Sequence, residues 1–178
     1  MKGLLQKKIL RFLLLGGGLY VAWLLLYFLV IQDYTKLDYW VNYNIAEMGQ
    51  AIFSIFGVES YIEVESDHII LLLDPLTRMG VWIGDECNGV KLWAIFAILI
   101  IILPGNKRSK FWFIPVGILL IHFINVIRIV CLLAIYNSYP EALDFNHKYT
   151  YVVIVYGLIF FLWWWWAKKY GLKSEQKD

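Results

Sequence analysis

The stretch Leu13–Ile31, LLLGGGLYVAWLLLYFLVI, holds 19 residues without a charge, and it decides what kind of fold this chain adopts. A helix needs about 20 predominantly apolar residues to cross the hydrocarbon core of a bilayer. The whole chain shows the same bias, because 61% of its 178 residues are hydrophobic and only 17% are charged. Soluble domains contain about 45–50% apolar and about 25% charged residues. We therefore predict an integral membrane protein, which excludes a soluble enzyme, a disordered chain and a secreted disulfide scaffold.

The number of cysteines and the net charge exclude further classes of protein. Two cysteines are too few for a framework of disulfides or for a four-cysteine zinc site. The formal net charge of +2 gives no reason to expect a nucleic-acid partner. We expect membrane lipids around the protein, and neither a cofactor nor a resident metal.

Beyond the quoted stretch, three further runs are apolar enough to cross a bilayer. The run 89–103 is short, and the run 111–136 is interrupted by Asn125 and Arg128. We expect a single membrane domain over residues 1–178, with an outer segment at 32–86 and spans at about 13–31, 89–103, 111–136 and 151–166.

The distribution of basic residues predicts the orientation of these spans. Eleven of the 16 Lys and Arg residues lie before the first span, in the loop 104–110 or after the last span. Loops rich in Lys and Arg stay on the cytoplasmic side of a membrane. We therefore expect a multi-pass protein of the cell inner (cytoplasmic) membrane, with both termini cytoplasmic and both long loops on the outer face.

The outer segment carries two weaker patterns. Residues 40–58 are apolar on one side, with Asn42, Asn44, Glu47 and Gln50 on the other, which is typical of an amphipathic helix on the membrane surface. Residues 61–65 alternate with period two, and a turn at 66–67 leads into 68–73, which predicts a small hairpin. The predicted fold class is an all-α integral membrane protein with about four transmembrane helices, an outer-face amphipathic helix and this hairpin.

A charged residue inside the third span needs an explanation, because a central arginine costs a few kcal/mol in a membrane. Arg128 precedes Tyr136, at the outer end of the span, by eight residues, or about 12 Å of helix. Asn125 and Cys131 are its neighbours at i−3 and i+3. The alternative to a functional role is a structural arginine that reaches the interface or pairs with an acidic loop residue.

Cys87 lies where the outer segment enters the second span, in the sequence GDECNGV at 84–90. A thiol at a helix N-terminus feels the positive end of the backbone dipole, which favours the thiolate. Lys91 acts in the same direction, whereas Asp85 and Glu86 oppose it. Gly89 allows another backbone to approach closely. The alternative is an inert, buried cysteine, which describes Cys131 well and Cys87 poorly.

His147 precedes the fourth span, so the predicted topology places it at the same membrane face as Cys87 and Arg128. A nucleophile, a permanent cation and a group that titrates near neutral pH are the set needed for acyl transfer through a thioester. His68, in the predicted hairpin, and His122, in mid-span, are weaker candidates. We therefore interpret Cys87, Arg128 and His147 as catalytic.

Other interpretations use some of the same residues. Cys87 and His147 with Glu86 or Asp144 could ligate zinc, but no paired ligand spacing supports a metal site and the nearby arginine opposes a cation. A non-enzymatic scaffold or assembly protein would use polar span residues to hold helices together. A transporter or channel is disfavoured, because the spans contain no carboxylate relay. A disulfide between the two cysteines would exclude a nucleophilic thiol.

These motifs resemble the exosortase/archaeosortase family of membrane cysteine transpeptidases. That family has a Cys-x-Gly motif at the head of one span, an Asn-x-x-Arg near the outer end of the next, and a His before the last. The matches here are Cys87-Asn88-Gly89, Asn125-Val126-Ile127-Arg128 and His147, in the same order. Many members have serine where this chain has Asn88. The short length and the single early span resemble the short XrtF-like branch.

The resemblance implies a sorting reaction, with Cys87, Arg128 and His147 as catalytic residues and Asn125, Gly89 and Asn88 in support. Its substrates would be exported proteins with a C-terminal motif, a membrane helix and a basic tail. The enzyme would cleave near the motif, hold the product as a thioester and pass it to a lipid or glycan acceptor. A small partner membrane protein is a further expectation.

Overall fold

A computed structural model describes residues 2–66 and 68–171 of the chain, and most of these residues are helical. The helices are α1 (Lys2–Leu26), α2 (Gln32–Tyr34), α3 (Leu37–Ile55), α4 (Val90–Ile102), α5 (Lys107–Ser138), α6 (Leu143–Phe145) and α7 (Tyr151–Trp166). Wider π-helical turns at Tyr27–Ile31, Asn146–Thr150 and Ala167–Gly171 extend α1, α6 and α7. Three strands, β1 (Tyr61–Glu65), β2 (His68–Asp74) and β3 (Met79–Ile83), form one sheet. The predicted all-α fold class is therefore corrected: the chain is mostly helical and also contains a three-stranded sheet.

Within the described part of the chain, three helical segments are long and apolar enough to cross a membrane: Ile9–Tyr34, Lys107–Ser138 and Pro140–Tyr170. They contain the predicted first, third and fourth spans. The predicted second span is helix α4, whose 13 residues extend about 20 Å, whereas the hydrocarbon core is about 30 Å thick. Three spans are thus confirmed by length and composition, and a fourth full crossing stays a prediction.

The chain forms two compact units, and the first comprises Met1–Thr35, Lys91–Leu119 and Ile159–Asp178. Its interior is aromatic: the rings of Phe113 and Trp166 lie 4.9 Å apart, and those of Phe96 and Phe113 lie 5.9 Å apart. The ammonium group of Lys91 lies 5.1 Å from the ring centre of the buried Tyr27. This cation–π contact gives a charge next to apolar helices a favourable partner.

The second unit comprises Lys36–Val90 and Leu120–Leu158, and it contains the sheet. The strands are antiparallel in the order β1-β2-β3, so β1 and β3 are both edge strands. Alternate residues of one face are fully buried, among them Ile69, Leu71 and Ile83. Helix α3 packs on this face at Gly49, where a Cβ atom would lie 2.9 Å from the Leu71 side chain. A side chain at position 49 would displace the end of the Leu71 side chain, so glycine allows this close approach.

The predicted hairpin is confirmed as β1 and β2, whereas β3 was not predicted. The run that forms β2 and β3 is broken by Asp74, whose carboxylate accepts hydrogen bonds from the backbone N–H of Leu76 and the hydroxyl of Thr77. These hydrogen bonds lower the pKa of the Asp74 carboxyl group. Arg78 completes the turn with φ +53° and pairs with acidic residues of β1. The polar residues that made a membrane span improbable here therefore form the tight turn between β2 and β3.

The predicted amphipathic helix at 40–58 corresponds to α3, but one of its polar residues lies on the other side. The buried face consists of Asp38, Val41, Asn42, Ile45, Ala46, Gly49 and Phe53. The hydropathy pattern predicts Asn42 on the polar side, yet it is only 2% exposed. The prediction is wrong because Asn42 donates a hydrogen bond to Asp85 inside the protein, which a hydropathy pattern does not reveal. The location of α3 on a membrane surface stays a prediction.

Candidate active site

The loop between β3 and α4 holds Cys87 in a defined conformation. The backbone N–H of Cys87 donates to the carbonyl of Gly84 over 2.8 Å, which closes a turn. Gly89 then adopts φ +84°, a left-handed conformation that side chains disfavour. Asn88 accepts a hydrogen bond from the N–H of Val90 over 3.0 Å and so caps the first turn of α4. Both residues that follow the cysteine in the Cys-x-Gly motif thus have a local structural role: Asn88 caps α4 and Gly89 forms the turn.

The structure brings the three predicted catalytic side chains together. Cys87 Sγ lies 3.4 Å from His147 Nε2 and 3.3 Å from Arg128 Nη2. These distances are within the range of hydrogen bonds to sulfur. The three residues come from the loop before α4, from α5 and from the π-helical turn Asn146–Thr150. A thiol, an imidazole and a guanidinium therefore share one site within the second unit.

The three predicted supporting residues lie beside this cluster. Asn125 is fully buried and donates from Nδ2 to the carbonyl of Cys87 over 2.6 Å. Asn88 is also fully buried, and its Nδ2 donates to a carboxylate oxygen of Asp38 over 2.6 Å. Gly89 provides the backbone turn described above. The loop is consequently held by α5 from one side and by α3 from another.

Two residues of this arrangement were missed by sequence analysis, and both lie on α3. Asp38 is 8% exposed and binds Asn88, and Asn42 donates to Asp85 over 3.1 Å. They are four residues apart and therefore share one face of the helix. The sequence could have revealed this pair, because Asp38 and Asn42 recur on the same helical face as the apolar residues Val41 and Ile45. Sequence alone did not reveal that the partners of this pair are in a loop more than 40 residues away.

Replacing Asp38 by alanine is expected to loosen the Cys87 loop. The amide of Asn88 would then lose its carboxylate partner inside the protein, which costs about 1–3 kcal/mol. We expect a lower thermal unfolding temperature in detergent and faster alkylation of Cys87 by a bulky maleimide. Asp33→Ala, at an exposed position of α2, is the matched control. Equal stability and equal alkylation of the two variants would show that Asp38 does not hold the loop.

The weaker candidates have other environments. Cys87 and Cys131 are both free thiols, so the disulfide alternative is wrong. His122 pairs with Asn44 over 2.9 Å, and the ring of His68 lies 5.1 Å from that of Trp82. Neither histidine contributes to the cluster around Cys87. Arg128 is half-buried, and its Nε has no hydrogen-bond partner among the described residues.

Apolar helices of membrane-spanning length and a half-buried Cys–Arg–His cluster define an integral membrane protein with a candidate thiol active site. The family model of transmembrane exosortases (Exosortase_EpsH) matches residues 5–169 of the chain. The chain therefore belongs to the exosortase family, whose members are sortase-like membrane cysteine transpeptidases acting on proteins. Comparisons with curated proteins and with solved structures found no match.

Proposed function

We propose that this exosortase cleaves the C-terminal sorting signals of exported proteins through a thioester on Cys87 and transfers the products to a surface acceptor. The observation that carries this proposal is the contact of one thiol with both His147 Nε2, at 3.4 Å, and Arg128 Nη2, at 3.3 Å. Cysteine is activated as a nucleophile by an adjacent base and by positive charge. The test is whether exported proteins keep their C-terminal tails in a strain whose enzyme carries Cys87→Ala.

In the first half-reaction, Cys87 Sγ attacks the carbonyl carbon of the scissile peptide bond. Its proton passes to His147 Nε2, and the positive charge of Arg128 stabilises the sulfur anion before attack and the oxyanion after it. The C–N bond then breaks, and His147 returns the proton to the leaving amine. The products are a thioester on Cys87 and a released fragment that consists of the membrane helix and the basic tail.

In the second half-reaction, a hydroxyl or amine of the acceptor attacks the thioester carbonyl. His147 takes the proton of the nucleophile and returns it to the sulfur as the C–S bond breaks, which regenerates the thiol. A lipid or a glycan supplies such a nucleophile at a membrane surface. Hydrolysis would occur if water attacked instead, so the identity of the acceptor decides between protease and transpeptidase.

The proposed location is the outer face of the cell inner membrane, with both termini in the cytoplasm. The basic residues before α1, in the loop 104–110 and after α7 support this orientation. A membrane-anchored substrate would present its motif just above its own helix. If the short α4 crosses the membrane, the thiol of Cys87, three residues before its start, would lie near that level, which supports the proposal. Membership of the XrtF-like branch and a small partner membrane protein are further parts of this proposal.

The competing proposal is a non-enzymatic scaffold, in which Asn125 and Arg128 hold helices and loop together. The hydrogen bond from Asn125 to the Cys87 carbonyl is compatible with that role. A scaffold, however, does not need a thiol in contact with both an imidazole and a guanidinium. The two proposals differ in what happens when Cys87 alone is changed.

Replacing His147 by glutamine is expected to lower the rate of substrate processing about 10²–10⁴-fold, because the proton transfers at sulfur and at the leaving amine lose their mediator. The measurement is the rate of tail loss from a precursor in isolated membranes with equal amounts of enzyme. His122→Gln, on α5 and paired with Asn44 outside the cluster, is the matched control and should keep its activity. Equal rates for the two variants would exclude His147 from proton transfer.

A further inference from the structure

The two edges of the three-stranded sheet differ in chemistry. The outer strand β1 carries Glu63 and Glu65, which pair with Arg78 over 2.8 and 3.0 Å. The opposite outer strand β3, Met79–Ile83, contains neither a charged residue nor a proline. Among the described residues, β3 pairs only with β2. Its second edge therefore offers backbone N–H and C=O groups for a further strand.

An uncharged edge strand is unusual because proteins normally protect such edges. Charged side chains, prolines and bulges discourage the addition of a strand from another molecule. β1 has such protection in its acidic residues. β3 has no charged residue of its own, although Arg78 directly precedes it, and the irregularity of the β2–β3 pairing lies in β2, between Leu72 and Asp74. Backbone polar groups near a membrane also gain most from pairing, because fewer water molecules are present to satisfy them. The difference between the edges points to β3 as a place where an extended peptide binds.

The position of β3 relative to the nucleophile supports this interpretation. Cys87 follows Ile83, the last residue of β3, by four residues, which span at most about 14 Å. The turn that the Cys87 N–H closes with Gly84 shortens this distance. Ile83 is fully buried in the face that packs on α3, so the edge is fixed within the same unit as the thiol. A peptide that follows β3 is directed to the site within a few residues.

We propose that the outer edge of β3 binds the substrate segment on the amino side of the scissile bond as a fourth strand of the sheet. This inference rests on the proposed function. Main-chain hydrogen bonds supply the affinity in this mode of recognition, and side-chain contacts supply the specificity. Trp82 is 57% exposed on β3 and is placed to contact alternate side chains of the added strand.

Cysteine cross-linking tests the pairing. The enzyme carries Trp82→Cys in a Cys87→Ser, Cys131→Ser background, so it has one thiol and cannot turn over. The probe is a precursor that accumulates in the Cys87→Ala strain, with single cysteines introduced at successive positions before its cleavage site. Strand pairing places opposite Cβ atoms about 4.5–5.5 Å apart and alternates side chains between faces. We expect most disulfide at the one probe position opposite residue 82, less at the positions two residues to either side, and none at the positions between them.

The matched control is Val64→Cys, which is 46% exposed on β1, the protected edge, and should give at most one tenth of the cross-linked product. Met79→Cys, at the other end of β3, repeats the test if Trp82→Cys is poorly produced. Equal yields from both edges, or yields without a two-residue period, would overturn the inference. So would disulfide-linked dimers of Trp82→Cys enzyme that exclude the probe, because the edge would then bind a second copy of the chain.

The outcome also separates this inference from the proposed function. If a precursor accumulates in the Cys87→Ala strain but does not cross-link to β3, sorting stands and only the docking edge is wrong. If no precursor accumulates, the proposed function fails and the docking inference fails with it.

Discussion

In a strain whose enzyme carries Cys87→Ala, a set of exported proteins is expected to keep a C-terminal membrane helix and basic tail that the parent strain removes. Alanine has no nucleophile, so no thioester forms and processing falls to background. The fold should persist, because the loop is held by backbone and amide hydrogen bonds of Asn88 and Asn125 that do not involve the sulfur. The measurement is quantitative proteomics of C-terminal peptides from the membrane and surface fractions.

The chain provides its own control for this experiment. Cys131 is the second free thiol and lies on α5, one turn from Arg128, outside the proposed catalytic set. Cys131→Ala should process its substrates as the parent does, at equal abundance. If Cys87→Ala leaves all C-termini unchanged at equal abundance, Cys87 is not a sorting nucleophile and the scaffold proposal gains support. If both variants fail, the loss reflects folding rather than chemistry.

Replacing Arg128 by lysine is expected to lower processing about 10²-fold although the positive charge is kept. Arginine presents several N–H donors in a rigid plane, whereas lysine presents one flexible ammonium group. Nη2 of Arg128 donates to Cys87 Sγ over 3.3 Å, and its Nε is buried without a partner among the described residues. We propose that this N–H binds the oxyanion that develops when substrate is present. The shorter lysine side chain has one ammonium group, which cannot donate to Cys87 Sγ and to the oxyanion in the same way.

The rate of thioester formation, measured as capture of a precursor by the enzyme in a single turnover, reports this effect directly. Arg78→Lys is the matched control, because Arg78 makes exposed ion pairs with Glu63 and Glu65. Exposed ion pairs contribute little to stability, so this variant should keep normal rates. Full activity of Arg128→Lys would reduce Arg128 to a positional charge. Loss of abundance in place of activity would favour the scaffold proposal.

Much of the local structure followed from the sequence because it depends on neighbouring residues. Hydropathy predicted four spans, three of which lie in helical segments of membrane-spanning length. Alternation predicted β1, and the turn after it predicted β2. The strand β3 was missed because Asp74 and Arg78 interrupt its apolar run, and their role in a turn appears only when the two strands are paired. The short α4 shows the limit of hydropathy: an apolar run identifies a helix without fixing whether it crosses a membrane.

The candidate site was predicted in part for a similar reason. The order of Cys87, Arg128 and His147 along the chain and the predicted topology placed them at one membrane face. Their contacts, however, join residues 41 and 60 positions apart, and such distances follow only from the packing of helices. The orientation in the membrane and the catalytic roles stay predictions.

The sequence by itself determined that this is a membrane protein of the exosortase family. Composition and uncharged runs such as Leu13–Ile31 determine which segments favour lipid over water. The order of the motifs is likewise a property of the sequence alone. Only the tertiary structure decided that the Cys87 loop is held by Asp38 through Asn88, across 50 residues. A buried polar group is stable only with a partner, and that partner is chosen by the fold rather than by neighbouring residues.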